Sequence, residues 1–176
     1  MFTKQGNSRN KIDTKHITLY ALLTAVCLII GYLESVLSIS LVAIAPGVRL
    51  GLSNAVVLTL IYSGRKKGAW AVNIARICLS ALLFGSPISF LLSVSGAVTS
   101  TTVACVLSRN DKVSEIGTSI ASAVTHNVFQ LIAAMFIVGY GVVYYMPILI
   151  VLGAVCGAFC GVLAKLVLKR GKIFKI

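Results

Sequence analysis

The amino-acid sequence predicts an all-α integral membrane protein with six transmembrane helices and both termini in the cytoplasm. Of its 176 residues, 58% are hydrophobic and 11% are charged, whereas a soluble domain has about 45–50% apolar and about 25% charged residues. The mean hydropathy is +0.98. The apolar runs lack the alternation that is typical of β-barrel strands, and basic residues lie between them. These observations exclude a soluble globular protein.

Six apolar runs mark the helices, and turn-forming or charged residues separate them. The predicted helices lie at residues 17–37, 50–62, 69–84, 87–107, 116–140 and 145–167. The breaks between them are Pro46-Gly47, the basic loop 63–68, Gly85-Ser86-Pro87, the polar loop 108–115 and Tyr140-Gly141. The second and third helices are shorter than the about 20 residues that cross a bilayer.

The six helices are expected to form one membrane domain, residues 17–168, between basic tails at residues 1–16 and 169–176. The apolar run from Ile17 to Leu33 follows a basic segment, as in a signal peptide. It is long, however, and lacks a convincing A-x-A cleavage site. We therefore interpret it as an uncleaved first span.

The distribution of Lys and Arg predicts the orientation. All but two of the 16 basic residues lie in the N-terminal tail, in the loops after the second and fourth helices, or at the C-terminal end from Lys165 onward. They are Lys4, Arg9, Lys11, Lys15, Arg65, Lys66, Lys67, Arg109, Lys112, Lys165, Lys169, Arg170, Lys172 and Lys175. Because cytoplasmic loops carry an excess of basic residues, we predict a multi-pass plasma-membrane protein. The same clustering accounts for the net charge of +12 without a nucleic-acid partner.

Polar side chains within the third and fifth helices are candidates for a functional site. Ionisable groups at membrane depth cost about 2.5–3.5 kcal/mol each, so each needs a partner, a cavity or a function. At 1.5 Å per residue, Arg76 and His126 lie about 10 and about 15 Å from the inner edge, so we expect them to meet near mid-membrane. Asn73 shares the helix face of Arg76, and Gln130 shares that of His126, with Asn127 beside it.

Two interpretations of these polar stripes stay open. In the first, the side chains only hydrogen-bond to one another or to broken backbone and hold the helices together. In the second, they line a small polar cavity that opens outward, because a permanently charged guanidinium at that depth is difficult to keep dry and unpaired. The second interpretation predicts a ligand-binding site.

The segment 46–54 is a further candidate feature. Pro46 and Gly47 precede a helix whose N-terminus points outward, where free N–H groups and the positive end of the helix dipole favour an anion. Only Glu34 opposes Arg49 and Arg76 in this outer half, which therefore suits a ligand with a negative or strongly hydrogen-bonding head. A plain loop before a helix explains the glycines of this segment equally well.

Small residues repeat along one face of the sixth helix. Gly153, Gly157 and Gly161 lie four residues apart, and such a stripe lets a neighbouring backbone approach closely. The neighbour is either another helix of the same bundle or a partner protein.

Sequence signatures of catalysis and of cofactor binding are missing. The chain has no G-x-x-x-x-G-K-[ST] phosphate loop. Its two aspartates, Asp13 and Asp111, cannot build an aspartate-rich magnesium diphosphate site. The five cysteines fall inside apolar runs and give neither a disulfide framework nor a metal site. We therefore predict a non-enzymatic protein without cofactor or metal, which takes energy from a partner or uses none.

Three segments carry a resemblance to a known family: residues 46–54, residues 71–85 with Arg76, and Ala123-Val124-Thr125-His126-Asn127 with Gln130. On these segments the sequence resembles the family known as Gx transporter or heptaprenyl diphosphate synthase component I. The resemblance covers nearly the whole membrane region. That family is similar to the substrate-binding S components of energy-coupling factor (ECF) transporters, six-helix proteins that capture vitamins or similar compounds from outside.

The resemblance implies an S-component-like bundle that captures a small-molecule substrate, with a transmembrane T component and ATPases as partners. The segment Ala21-Leu22-Leu23-Thr24-Ala25 matches the Ala-x-x-x-Ala pattern that packs on the T component, so Ala21 and Ala25 would form the coupling face. The residues that would line the binding cavity, with Asn73 added for its shared face with Arg76, are Glu34, Arg49, Asn54, Asn73, Arg76, His126, Asn127 and Gln130.

Two other functions stay open. The first is a membrane subunit of a quinone-linked or flavin-linked electron-transfer assembly, which binds an isoprenoid quinone or docks a redox partner without transport. The second is an accessory subunit that anchors a soluble prenyl diphosphate synthase. Because the aspartate motif is missing, the synthase name is interpreted as an association with prenyl or quinone metabolism and not as an activity.

Overall fold

The computed structural model describes residues 14–41 and 51–170, and this part of the chain is all-helical. A short 3-10 helix, Tyr140–Tyr145, precedes the last α-helix. The α-helices are α1 (Thr14–Leu41), α2 (Ser53–Tyr62), α3 (Lys66–Phe84), α4 (Pro87–Leu107), α5 (Glu115–Val138) and α6 (Met146–Arg170). The all-α class is confirmed, and each of the six predicted helices is present.

Local sequence signals set several of the helix ends. Ser86 caps α4 by accepting a hydrogen bond from the Ser89 N–H, and Pro87 occupies the first turn, where its missing N–H is not needed. Ser114 caps α5 in the same way through the Gly117 N–H. At the other end of α5, Gly139 has a φ of 108°, a conformation that favours glycine.

The short helix α2 lies at the centre of the bundle. It contacts each of the other five helices. Around it, α1 packs against α3, α3 against α4, α4 against α5 and α5 against α6. Val57, Leu58, Leu60 and Ile61 are at most 4% exposed and form the core of the protein. The sequence placed α2 among the membrane crossings, but its 10 residues measure only about 15 Å.

One end of the bundle is strongly basic. The His16 ring and the Arg65 guanidinium are 2.8 Å apart, and Lys66 Nζ donates to the Cys105 carbonyl at 3.2 Å. These contacts place the start of α1, the start of α3 and the end of α4 together. All the described basic residues except Arg76 lie there: Lys15, Arg65, Lys66, Lys67, Arg109, Lys112, Lys165, Lys169 and Arg170.

Four helical segments are long and apolar enough to cross a membrane. They are Thr14–Glu34, Pro87–Leu107, Glu115–Val138 and Tyr140–Arg170. Their outer faces expose large apolar side chains such as Phe136, which is 85% exposed, as expected for contact with lipid. In α3, by contrast, two lysines, Asn73 and Arg76 reduce the hydropathy. The four segments are compatible with a multi-pass membrane protein, and six crossings stay a prediction.

The glycine stripe of α6 packs inside the bundle. A Cβ atom at Gly157 would lie 2.8 Å from the Ile120 Cα, and one at Gly161 would lie 2.7 Å from the Ile116 Cα. Gly153 faces Asn127 in the same way, and all three glycines are buried. The sequence allowed either another helix of the bundle or a partner protein as the neighbour of this stripe. In the structure the neighbour is a helix of the bundle, α5. The assignment of these glycines to a partner interface is corrected accordingly.

The predicted orientation is testable by labelling single cysteines. In a variant without the five native cysteines, Asn110→Cys lies at the basic end and Gly141→Cys at the opposite end, and both positions are exposed. We expect a membrane-impermeant maleimide to label Gly141→Cys in intact cells and Asn110→Cys only after permeabilisation, because basic loops stay in the cytoplasm. The reverse labelling pattern would contradict the orientation.

Candidate functional site

Helix α2 begins inside the bundle, where its first N–H groups need partners. The Leu52 N–H donates to the Glu34 carboxylate, which reaches across from α1. The Asn54 N–H donates to the Gly51 carbonyl at 2.8 Å. Because the first N–H groups of a helix have no partner within it, and membrane interiors lack water to supply one, Glu34 stabilises this helix start. The sequence predicted that this N-terminus favours an anion, and the carboxylate of Glu34 lies there; a ligand with a negative head at this position stays a prediction.

Arg76 of α3 contacts the same helix start. Its Nη1 donates to Ser53 Oγ at 2.6 Å and its Nη2 donates to Asn73 Oδ1 at 2.8 Å. Asn73, which is 2% exposed, donates in turn to Thr101 Oγ1 of α4 at 2.7 Å. The guanidinium therefore joins α2 and α3, and Asn73 extends the network to α4.

The Glu34 carboxylate accepts a hydrogen bond from Leu52, and the Arg76 guanidinium donates one to Ser53. The two opposite charges therefore contact adjacent residues of the chain. Arg76 lies ten residues after Lys66, which is about 15 Å along α3 from the basic end. This distance is about half the thickness of a bilayer's hydrocarbon core. The two charges therefore lie about midway along the bundle, where Glu34 is buried and Arg76 is half-buried.

A second polar group lies between α4, α5 and α6. The His126 Nδ1 and the Ser100 Oγ are 3.4 Å apart, and Ser122 Oγ donates to the Ser100 carbonyl at 3.0 Å. Asn127 Nδ2 donates to the Leu149 carbonyl at 2.9 Å. Gly96 permits this close packing, because a Cβ there would lie 2.9 Å from His126 Nε2. These contacts join the last three helices at the depth of Arg76.

The expectation that Arg76 and His126 meet directly is wrong. Helices α3 and α5 do not touch in the described part of the chain, because α4 packs between them. The two polar groups are instead joined through neighbouring residues of α4, Thr101 on the Arg76 side and Ser100 on the His126 side. We call the resulting layer, from Glu34 on α1 to Asn127 on α5, the polar belt.

The polar belt contains most of the predicted binding residues. Glu34, Asn73 and Arg76 meet at the start of α2, next to Asn54, whereas His126 and Asn127 form the second group. Sequence analysis missed Ser53, Ser100, Thr101 and Ser122, because neutral hydroxyls are common in transmembrane helices and carry no separate signal.

Three predicted positions lie elsewhere, and one of them lies outside the described residues. Arg49 belongs to the part of the chain that the structure does not describe, residues 42–50. Ala21 and Ala25 are exposed on α1, away from the polar belt. Their position keeps them accessible to a neighbouring protein or to lipid.

A family comparison identifies the chain. The family model described as heptaprenyl diphosphate synthase component I matches residues 23–167. The chain belongs to this family. The match begins within α1 and ends within α6, so the matched region covers the whole polar belt. No curated protein and no solved structure matches the chain significantly.

The component I membership confirms the family that the sequence resemblance suggested. The matched segment includes Glu34 and Arg76. The chemistry available to this component I protein follows from its side chains. Carboxylate, guanidinium, amide and hydroxyl groups can bind a polar compound through donors and acceptors.

Proposed function

We propose that the protein is a non-enzymatic membrane subunit that captures a small polar or anionic-headed compound at the polar belt. The observation that carries this proposal is the pair of charged side chains, Glu34 and Arg76, at the start of a helix that begins in the bundle centre. Charged groups at this depth are costly and mark binding or transport sites.

A largely buried amide supports the proposal. Gln130 is 8% exposed, and its side chain makes no hydrogen bond in the described part of the chain. Its amide is therefore available to hydrogen-bond to a bound compound. Gln130 lies one helical turn beyond His126, so such a compound would lie beside the second polar group.

Uptake of the captured compound would require a partner that supplies energy. We infer an ECF-type arrangement in which α1 contacts a transmembrane T component through Ala21 and Ala25, and ATPases drive the release. The exposure of both alanines on α1 supports this interface. Their small side chains permit close approach of another helix.

A second candidate function follows from the family description. That description names one component of a synthase, so the protein would work as a membrane subunit in heptaprenyl diphosphate metabolism together with another component. The basic end of the bundle would then be the surface that meets the soluble component or its anionic diphosphate substrate. A quinone-binding subunit of an electron-transfer assembly is the related alternative.

Native mass spectrometry of the detergent-purified protein distinguishes these functions. We expect a retained water-soluble compound and co-purified ATPase subunits. A retained isoprenoid quinone, or a soluble prenyltransferase in the same preparation, would contradict the capture function and favour the second candidate. The capture function would also be contradicted if the protein retained no water-soluble compound even when that compound was present during purification.

A further inference from the structure

A small cavity lies between α2, α4 and α5, on the side of the polar belt that faces the basic end. Its volume is about 10 Å³, close to the smallest volume that holds one water molecule. Five polar side chains line it, namely Asn54, Ser100, Thr101, Ser119 and Ser122. The cavity is therefore too small for a metabolite but suitable for a water or a small ion.

Two of the lining side chains have no partner in the described part of the protein. The Ser119 hydroxyl makes no hydrogen bond there, although the residue is only 5% exposed. The side-chain amide of the half-buried Asn54 likewise makes none. Since buried polar groups in native proteins are nearly always hydrogen-bonded, the Ser119 hydroxyl indicates a missing partner inside the cavity, and the Asn54 amide lines the same cavity.

The remaining lining groups show which partner fits. Ser122 Oγ donates its proton to the Ser100 carbonyl at 3.0 Å, so its lone pairs can accept. Thr101 Oγ1 accepts from Asn73 Nδ2 at 2.7 Å, so its own proton can be donated. No carboxylate of the described residues lines the cavity. A mixture of donors and acceptors suits water, whereas a cation needs oxygen acceptors around it.

We propose that this cavity is the binding site of one structural water molecule, which bridges Asn54 of α2, Ser119 of α5 and the hydroxyls beside them. The water joins the central helix to the α4–α5 pair without direct side-chain bonds between Asn54 and Ser119. Bridging waters are nearly as favourable as direct hydrogen bonds. This inference is independent of the proposed function, because it concerns the stability of the bundle.

A double-mutant cycle tests the water bridge. In thermal unfolding of the purified protein, Asn54→Ala and Ser119→Ala are each expected to lower the Tm by about 2–4 °C. The double variant should lose no more than the worse single variant, because either change releases the same water. Additive losses would overturn the proposal. If Asn54→Ala fails to fold, Asn54→Ser replaces it in the cycle.

Two further measurements distinguish the water bridge from a general loss of helix stability and from a bound cation. Thr125→Ala removes a hydroxyl that bonds within its own helix, to the Ala121 carbonyl at 2.7 Å, so its effect should add to that of Asn54→Ala. The Tm of the native protein should be equal in sodium chloride and in choline chloride. A rise that is specific to sodium would overturn the water assignment and show a cation site.

Discussion

Replacement of Arg76 by alanine is expected to abolish ligand retention in native mass spectrometry while leaving membrane insertion intact. The side chain donates two hydrogen bonds, to Ser53 and to Asn73, and hydrogen bonds of charged groups contribute about 1.5–3 kcal/mol each. We expect Arg76 to make a hydrogen bond of similar strength to the captured compound. The loss of that bond weakens binding at least about tenfold, so the compound is lost during purification. The variant should also unfold at a lower temperature, because Glu34 keeps its charge without this neighbouring cation.

Two control variants separate the loss of charge from the loss of geometry. Arg76→Lys keeps the positive charge but offers one nitrogen in place of the two, Nη1 and Nη2, that bond to Ser53 and Asn73, so we expect weak residual retention. Arg109→Ala removes a cation from the basic end, far from the polar belt, and should leave retention unchanged. If Arg76→Ala binds like the native protein, Arg76 does not belong to the binding site.

Replacement of Gly157 by leucine is expected to disrupt the bundle. A Cβ atom at this position would lie 2.8 Å from the Ile120 Cα and 3.0 Å from the Ser119 carbonyl oxygen. Backbone atoms cannot move aside as a flexible side chain can, so α5 and α6 must separate. Overpacking of this kind costs about 1–3 kcal/mol, occasionally more. The variant should aggregate or unfold at a clearly lower temperature in size-exclusion and thermal-unfolding measurements.

The matched control is Gly31→Ala in α1. No atom lies within 4 Å of a Cβ added at Gly31, and alanine is favoured over glycine in a helix by about 0.5–1 kcal/mol. This variant should be at least as stable as the native protein. A Gly157→Leu protein as stable as the Gly31→Ala protein would show that α5 and α6 are not packed through their backbones.

The helices themselves were predictable because hydropathy and chain breaks act locally. The fourth predicted helix, residues 87–107, coincides with Pro87–Leu107, since Gly85-Ser86-Pro87 and the polar loop bound an uninterrupted apolar run. The central position of α2 was not predictable. Composition does not distinguish a helix enclosed by protein from one in contact with lipid, because both are apolar on every side.

The candidate site was predictable only where one helix sets the geometry. Asn73 and Arg76 lie three residues apart on one face, and they do bond to each other at 2.8 Å. The role of α4 between α3 and α5 depends on packing order, which hydropathy does not encode. Likewise, the contact between Glu34 and Leu52 joins residues 18 positions apart, and no local pattern specifies it.

The enclosed position of α2 has a consequence for biogenesis. This segment is too short to be stably inserted by the translocon on its own. It gains its full surroundings only when α6, which is synthesised after the other described helices, packs against it. Until then, the Gly51 carbonyl lacks the Cys160 thiol that lies 3.5 Å from it in the finished protein. Co-translational assembly must therefore keep a partly formed interior open until α6 has been synthesised.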